Sequence, residues 1–380
     1  MNRNVSIFFK IVSFLLKTAV SIVCLALAVS MLMTFVTGMD GSSQAGQAGT
    51  TSHALMERYN MFVTNTFSDA LDGVLSIKKI YWLNDDDLVA PEPNQNCYGT
   101  AKTPDELQWL LEDAAELLDG QDTLFGPDTP VWDGCDIYYY FDETILVITW
   151  KQVMSNAIYT ISEIKIADPS QFRRFLADGQ YASGSKYVPT ELASSVNAVV
   201  ASNGDFYTFR NMGIIVYDSQ LKRAEGRNMD TCFIAGNGDL LFAHRNQLTK
   251  RDEMEQFVQE NGVRFSVAFG PILIENGEQV PIKNPYPVGE GDVAYARMAL
   301  CQRDTLHYYF VNVSPELPYG NSHTLPVFAS NLAKLGCKSA YNLDGGQSGT
   351  IVMNDKKINY VWERQVSDIL YFATAIPNGD

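Results

Sequence analysis

Residues 18–39 run 22 positions without a charge, rich in Val, Leu, Ala and Met. At about 1.5 Å per helical residue this run reaches roughly 33 Å, enough to cross a hydrocarbon core of about 30 Å. It divides the chain before any globular fold is considered. Arg3, Lys10 and Lys17 precede it, and Asp40 is the first charge after it. Basic residues stay on the cytoplasmic side, which predicts a cytoplasmic N-terminus over 1–17 and an extracytoplasmic remainder. A cleaved signal peptide is the rival reading. The run exceeds an h-region of about 7–15 residues and ends without a small-x-small site, so an uncleaved, single-pass transmembrane anchor at 18–39 in the cell membrane is expected.

Residues 40–53 are rich in Gly, Ser and Gln and lack apolar periodicity, the composition of a flexible linker. The part beyond is long enough to bury a full core. Setting aside the three basic residues before the anchor leaves 25 Lys and Arg against 44 Asp and Glu, a net charge of −19 outside the membrane. That field disfavours nucleic acid as a partner. Cys24 lies in the anchor; Cys97, Cys135, Cys232, Cys301 and Cys337 are widely and irregularly spaced with no CxxC pair, which argues against a zinc site. Cys97 and Cys135 flank one segment and are open to reading as a disulfide or as two thiols.

Residues 54–135 read as a helical N-terminal segment. Apolar residues recur at helical spacing over 54–79, and Thr103-Pro104-Asp105-Glu106 is a helix start whose helix runs to Leu118. From Asp136 the texture becomes β. Runs at 137–141 and 144–150 are split by Asp142-Glu143, another follows at 157–166, and strand pairs recur around Asn237-Gly238-Asp239 and Asn276-Gly277-Glu278. Short helices are expected at 169–177 and 325–335, the latter with Gly336 at its C-cap. The predicted fold class for 136–380 is α+β, a large mixed β-sheet core with flanking helices.

The four histidines form no metal-binding or catalytic spacing, and no GxSxG, GxGxxG or GxxxxGK[ST] occurs. Serine hydrolase, dinucleotide and P-loop chemistry are disfavoured, and neither cofactor nor metal is expected. What remains is a set of strand-end loops. Asp344-Gly345-Gly346-Gln347-Ser348-Gly349-Thr350 delivers a carboxylate into a glycine-rich loop, where backbone approaches a ligand closely and successive N–H groups can cradle an anion. It reads equally as a tight β-turn. Asn203-Gly204-Asp205 follows another strand, and Gly270-Pro271 interrupts two apolar runs. Arg297 sits in an apolar strand, where its charge needs either a core carboxylate or an anionic ligand to take its bidentate donors.

Taken together, residues 199–207, the Gly270-Pro271 turn, Arg297 and Asn342-Leu343-Asp344-Gly345-Gly346 resemble, in order and spacing, the phosphodiester glycosidases. That family includes the uncovering enzyme and many bacterial proteins of exopolysaccharide biosynthesis. The resemblance covers about 136–380. It departs at the loop, which in the family reads DGGGSST and here carries Gln347 and Gly349; Asp205 stands where a second glycine is usual. The resemblance implies a membrane-anchored extracytoplasmic glycosidase that cleaves a sugar-1-phosphodiester, such as an N-acetylglucosamine-1-phosphate linkage, in exopolysaccharide or cell-envelope glycan metabolism. On this reading Asp344 is the acid/base or stabilising carboxylate with Asp205 as partner, and Arg297 clamps phosphate. Asn203, Gly204, Gly270, Gly345, Gly346, Ser348 and Thr350 line the substrate site. The alternative is a non-catalytic, membrane-tethered glycan-binding or polysaccharide-assembly protein. A metal-dependent phosphodiesterase would need a His/Asp cluster that the sequence lacks.

Overall fold

The computed structural model describes residues 82–84, 87–282, 286–287 and 290–376. The expected anchor, the linker and the helix at 54–79 lie outside the described residues. Among the described residues no helix is long and apolar enough to cross a membrane. Strands follow in chain order as β1 (Tyr98–Ala101), β2 (Ile137–Asp142), β3 (Ile145–Met154), β4 (Ala157–Ile166), β5 (Phe172–Leu176), β6 (Val200–Asn203), β7 (Gly213–Tyr217), β8 (Gln220–Glu225), β9 (Thr231–Ile234) and β10 (Leu240–Ala243). They continue as β11 (Phe265–Val267), β12 (Ile272–Glu275), β13 (Glu278–Gln279), β14 (Arg297–Asp304), β15 (His307–Ser314), β16 (Ser339–Leu343), β17 (Ile351–Met353), β18 (Lys356–Lys357) and β19 (Asp368–Phe372).

Nine of them form one sheet in the order β1-β2-β3-β4-β15-β14-β16-β12-β13, and five form a second in the order β18-β17-β6-β19-β5. The expected hairpins are present: β2, β3 and β4 pair in succession, β9 with β10, and β12 with β13. The large sheet is not mixed, however. Each of its pairings among the described residues is antiparallel. The physical reason lies in β14. The helix Leu325–Lys334 carries the chain from β15 to β16, which run in the same direction, but β14 sits between them and pairs antiparallel with both.

Both faces of this sheet are covered, so its strands are apolar on both sides and alternate in destination. Along β14, Ala299 and Cys301 face one core; Met298 and Leu300 face the other. The first core is closed by the helix Leu325–Lys334, through Phe328 and Leu332, and by Leu107, Leu110, Ala114 and Leu118. Those last residues come from the predicted 103–118 helix. It begins as expected but forms as a 3-10 turn at Pro104–Leu107 followed by Gln108–Asp113 and Ala115–Leu118, broken at Ala114. β1 pairs with β2, so residues 98–101 extend the large sheet.

The second core lies between the large sheet and the five-stranded sheet, where Phe172 stacks on Phe372 at 4.3 Å between ring centroids. Here the helix expected at 169–177 is corrected: the 3-10 turn Pro169–Gln171 leads into Phe172–Leu176, which is β5, and a second 3-10 turn begins at Ala177. Phe-Arg-Arg-Phe-Leu suits either period. The strand wins because β5 pairs with β19 and places Arg174 against two buried carboxylates.

Candidate active site

Strand register brings the sequence motifs to one place. Met298 pairs with Leu343 across β14 and β16, so the next step outward sets Arg297 beside Asp344. β6 ends close by: Asn203 donates from Nδ2 to the Asp344 carbonyl at 2.9 Å and accepts from the Thr350 N–H at 3.2 Å. The turn before β12 joins the same corner, since Gly270 N–H donates to the Asn342 carbonyl and Asn342 Nδ2 to the Gly270 carbonyl. Gly270 has φ +69, a left-handed backbone that glycine tolerates best.

A cleft of 460 Å3 opens at this corner, and Asp344, Gly345, Gly346, Arg297, Arg364 and Glu290 are among its lining residues. Its size suits a small polar ligand. Burial raises the Asp344 carboxyl above the usual carboxylate range, against the pull of Ser348 and Arg364. Arg364 donates from its Nη2 to Asp344 Oδ2 at 2.7 Å and from Nε to Ser348 Oγ at 2.5 Å. The carboxylate therefore has a fixed orientation and a neighbouring positive charge. Arg364 was missed from sequence because it lies in an irregular segment with no periodic or motif signal.

Arg297 is buried, and among the described residues its guanidinium is held by backbone carbonyls and not by a core carboxylate. It donates to the carbonyls of His323, Glu290 and Val293, and its guanidinium lies 5.2 Å from the Tyr295 ring centroid. Burial lowers its pKa to about 10. These bonds tie down 290–295, the far wall of the cleft, while the guanidinium still contributes positive charge to the lining. Glu290 and Tyr295 on that wall also escaped the sequence reading.

Asp205 occupies a different setting. It is 3% exposed, accepts from the N–H groups of Tyr207 and Ala268 at 2.7 Å each, and forms an ion pair with Arg174 at 3.1 Å. Arg174 also pairs with Asp368 at 2.7 Å. With both oxygens committed and no place in the cleft lining, Asp205 is an anchor for the loop after β6. Its charge is still felt at Asp344, where it adds to the rise of that carboxyl's pKa.

The remaining loop residues divide between lining and support. Gly345 and Gly346 line the cleft, whereas Asn203, Gly204, Gly270, Ser348 and Thr350 are absent from its lining and brace it. At Gly204 a Cβ would fall 1.9 Å from Asp368 Oδ2, and at Gly345 one would fall 2.3 Å from the Ala296 carbonyl oxygen. The latter neighbour is backbone and cannot step aside. Gly345→Ala is therefore expected to displace the loop and lower turnover by about 100-fold with the fold retained, measured as kcat beside a thermal melt. Gln347 is exposed at the lip. At Gly349 an added Cβ would approach Asn312 Nδ2 to 3.1 Å, so that side-chain amide would have to give by a few tenths of an ångström. Among the described residues no group of three or more His, Cys, Asp or Glu is placed to hold a metal ion.

The phosphodiester glycosidase family model matches residues 196–373, a narrower span than the sequence resemblance. No curated protein matches the chain. Among solved structures it is similar to a hypothetical protein from Synechocystis at 15% identity and a TM-score of 0.48, covering 63% of this chain and 64% of that one. The chain thus spans slightly less than two thirds of that relative. It is also similar to the zebrafish N-acetylglucosamine-1-phosphodiester alpha-N-acetylglucosaminidase catalytic domain auto-inhibited by pro-peptide, at 19% identity and a TM-score of 0.49, covering 68% of this chain and 92% of that one. A putative exported protein from Burkholderia pseudomallei K96243 matches at 15% identity and a TM-score of 0.39, covering 57% of this chain and 74% of that one. Asp344, Arg297, Arg364 and the loops that brace them all fall within the matched span, and the chain carries a domain of the phosphodiester glycosidase family at residues 196–373.

Proposed function

We propose that the cleft hydrolyses a sugar-1-phosphodiester at the glycosidic carbon–oxygen bond. The observation that carries this reading is one desolvated carboxylate, Asp344, sharing a cleft with two guanidinium groups, Arg297 and Arg364. In this step the oxygen of water attacks C1, its proton passes to the Asp344 carboxylate, and the C1–O bond breaks. The products are free sugar and a phosphate monoester that keeps the bonding electron pair. A raised pKa makes Asp344 a stronger base, and Arg364 and Arg297 offset the charge that develops on the departing phosphate. Phosphate leaves readily, so the mechanism needs no second carboxylate from Asp205.

The sugar is proposed to be of the N-acetylglucosamine type, and the setting an extracytoplasmic domain tethered through 18–39 and acting on exopolysaccharide or cell-envelope glycan. Both follow from the sequence reading and the family. The zebrafish relative's own name includes N-acetylglucosamine-1-phosphodiester. The test is to incubate the full chain with a panel of sugar-1-phosphodiesters and assay free reducing sugar. Release from at least one member is expected, and none across the panel refutes the reading.

The glycan-binding alternative draws on one observation, the commitment of Arg297 to three carbonyls. It predicts saturable binding of the same panel without release.

Two further outcomes follow. Activity needs the ionised Asp344, so kcat/KM falls as pH drops through its raised pKa. The acid limb is expected above the usual carboxylate range, whereas a limb at or below that range removes Asp344 as the base. Arg364→Gln withdraws a group that favours the charged form. It is expected to move that limb to higher pH and to raise KM about tenfold, measured from the same pH–rate profiles.

A further inference from the structure

The far wall of the cleft hangs on one main-chain carbonyl, that of His323. It accepts from the Tyr295 N–H at 3.2 Å and from Arg297 Nε at 3.1 Å. The His323 N–H returns to the Tyr295 carbonyl at 3.4 Å, and the Leu325 N–H donates to the Gly291 carbonyl at 2.8 Å. The placement of 291–297 therefore depends on that of His323.

The His323 side chain is buried with both ring nitrogens bonded. Its Nε2 lies 3.1 Å from the Ser155 carbonyl oxygen and its Nδ1 2.7 Å from the Tyr159 hydroxyl. A carbonyl only accepts, so Nε2 carries the hydrogen and Nδ1 of the neutral ring accepts from Tyr159. Asn331 fixes the direction of that bond. Its Oδ1 accepts from Lys334 Nζ at 3.0 Å and from the Ser155 hydroxyl at 2.9 Å, which turns its Nδ2 to the Tyr159 oxygen at 2.8 Å. The Tyr159 hydrogen is then left for Nδ1, and burial raises the pKa of that hydroxyl so that it stays protonated. A second proton on the imidazole would set two donors against each other in a buried site, which is costly.

The cations nearby oppose that proton as well: Arg297 on β14 and Lys334 on the helix Leu325–Lys334. Glu316, after β15, is paired with Lys151 of β3 at 2.7 Å, and Glu290 and Asp292 on the wall are exposed to water. Burial lowers the His323 pKa, opposed by the Ser155 carbonyl. The neutral ring is thus the form that fits the fold. Its stabilisation is complete above about pH 6.5, the ordinary histidine pKa, and is lost as pH falls below that value.

We propose that His323 is a positioning residue: its neutral imidazole latches the wall that holds Arg297, and protonation at Nδ1 releases that wall and weakens phosphodiester binding. The inference rests on the proposed hydrolase reading for the identity of the ligand. It adds to the Asp344 limb a second acid dependence, which acts on binding and not on proton transfer.

The test takes the full chain, labelled with ¹⁵N at its four histidines, from about pH 8 to about pH 5. Nitrogen shifts are expected to show His323 as the Nε2–H form, titrating below about pH 6.5. Its signal is identified by its loss in His323→Asn. Amide hydrogen exchange of 291–297, corrected for the intrinsic pH dependence, is expected to lose about tenfold of its protection relative to β15 as His323 protonates. In His323→Asn, whose Oδ1 can accept from Tyr159 but takes no proton, protection should stay level. Dimethyl phosphate, a monoanion throughout, is the binding probe, titrated by calorimetry into Asp344→Asn so that the Asp344 titration is absent. Its affinity is expected to fall about tenfold over the same interval.

An Nδ1–H or protonated His323 at neutral pH overturns the proposal, as does exchange that ignores the His323 titration. So does a pH dependence that survives in His323→Asn, or an affinity that stays level while the wall loosens. If the variant does not fold, the wild-type exchange decides alone. Dimethyl phosphate that binds at no pH refutes the phosphodiester reading of the cleft, and the exchange result still decides the latch.

Discussion

Asp344→Asn is expected to lower turnover of a sugar-1-phosphodiester by about 10²–10⁴-fold, the usual contribution of a positioned acid or base. The substitution isolates chemistry from architecture. An asparagine Oδ1 can still accept from Arg364, and the backbone contacts of the loop, such as Asn203 Nδ2 to the 344 carbonyl, do not involve the side chain. The melting temperature should therefore stay close to that of the wild type. The removal of a raised-pKa carboxylate should also abolish the acid limb of the pH profile in whatever activity remains. A variant that turns over at the wild-type rate would show that another group carries the reaction.

Arg174→Met is expected to have the largest effect on stability, a loss of about 3–5 kcal/mol. Its guanidinium lies with Asp205 and Asp368 in a group whose side chains are all fully buried. Burial pushes the Asp368 carboxyl up to about 7, opposed by Arg174 and reinforced by Asp205. Without the arginine, two carboxylates face each other in the interior with no counter-charge. The consequence reaches the cleft, because Asp205 anchors the loop after β6, and that strand holds the Asp344 loop through Asn203. Denaturant unfolding checks the magnitude. Adding Asp205→Asn and Asp368→Asn to Arg174→Met should recover part of the loss, since the uncompensated charge is then gone. An unchanged midpoint for the single variant would show that the cluster contributes nothing net.

Much of this arrangement is legible in the sequence, for identifiable reasons. The β2–β3–β4 and β12–β13 hairpins announce themselves through apolar runs split by turn residues, and the helix Leu325–Lys334 through its apolar spacing and terminal Gly336. The Asp344 loop and Arg297 are visible as motifs, and strand register then sets them side by side. What stays hidden depends on partners distant in the chain. The strand identity of Phe172–Leu176 is decided by pairing with β19, nearly 200 residues later. Asp205 looks like a free loop carboxylate until Arg174 is brought to it from β5. Arg364 lies 20 residues beyond Asp344 in an irregular stretch, where nothing local marks it as that carboxylate's partner.

The most direct test of the central claim is to run the hydrolysis in ¹⁸O-labelled water and locate the label in the products by mass spectrometry. Attack at C1 places the label in the released sugar and none in the phosphate monoester, which is the predicted result. Label in the phosphate monoester would mean cleavage at phosphorus and would contradict the assignment of this cleft as a glycosidase site.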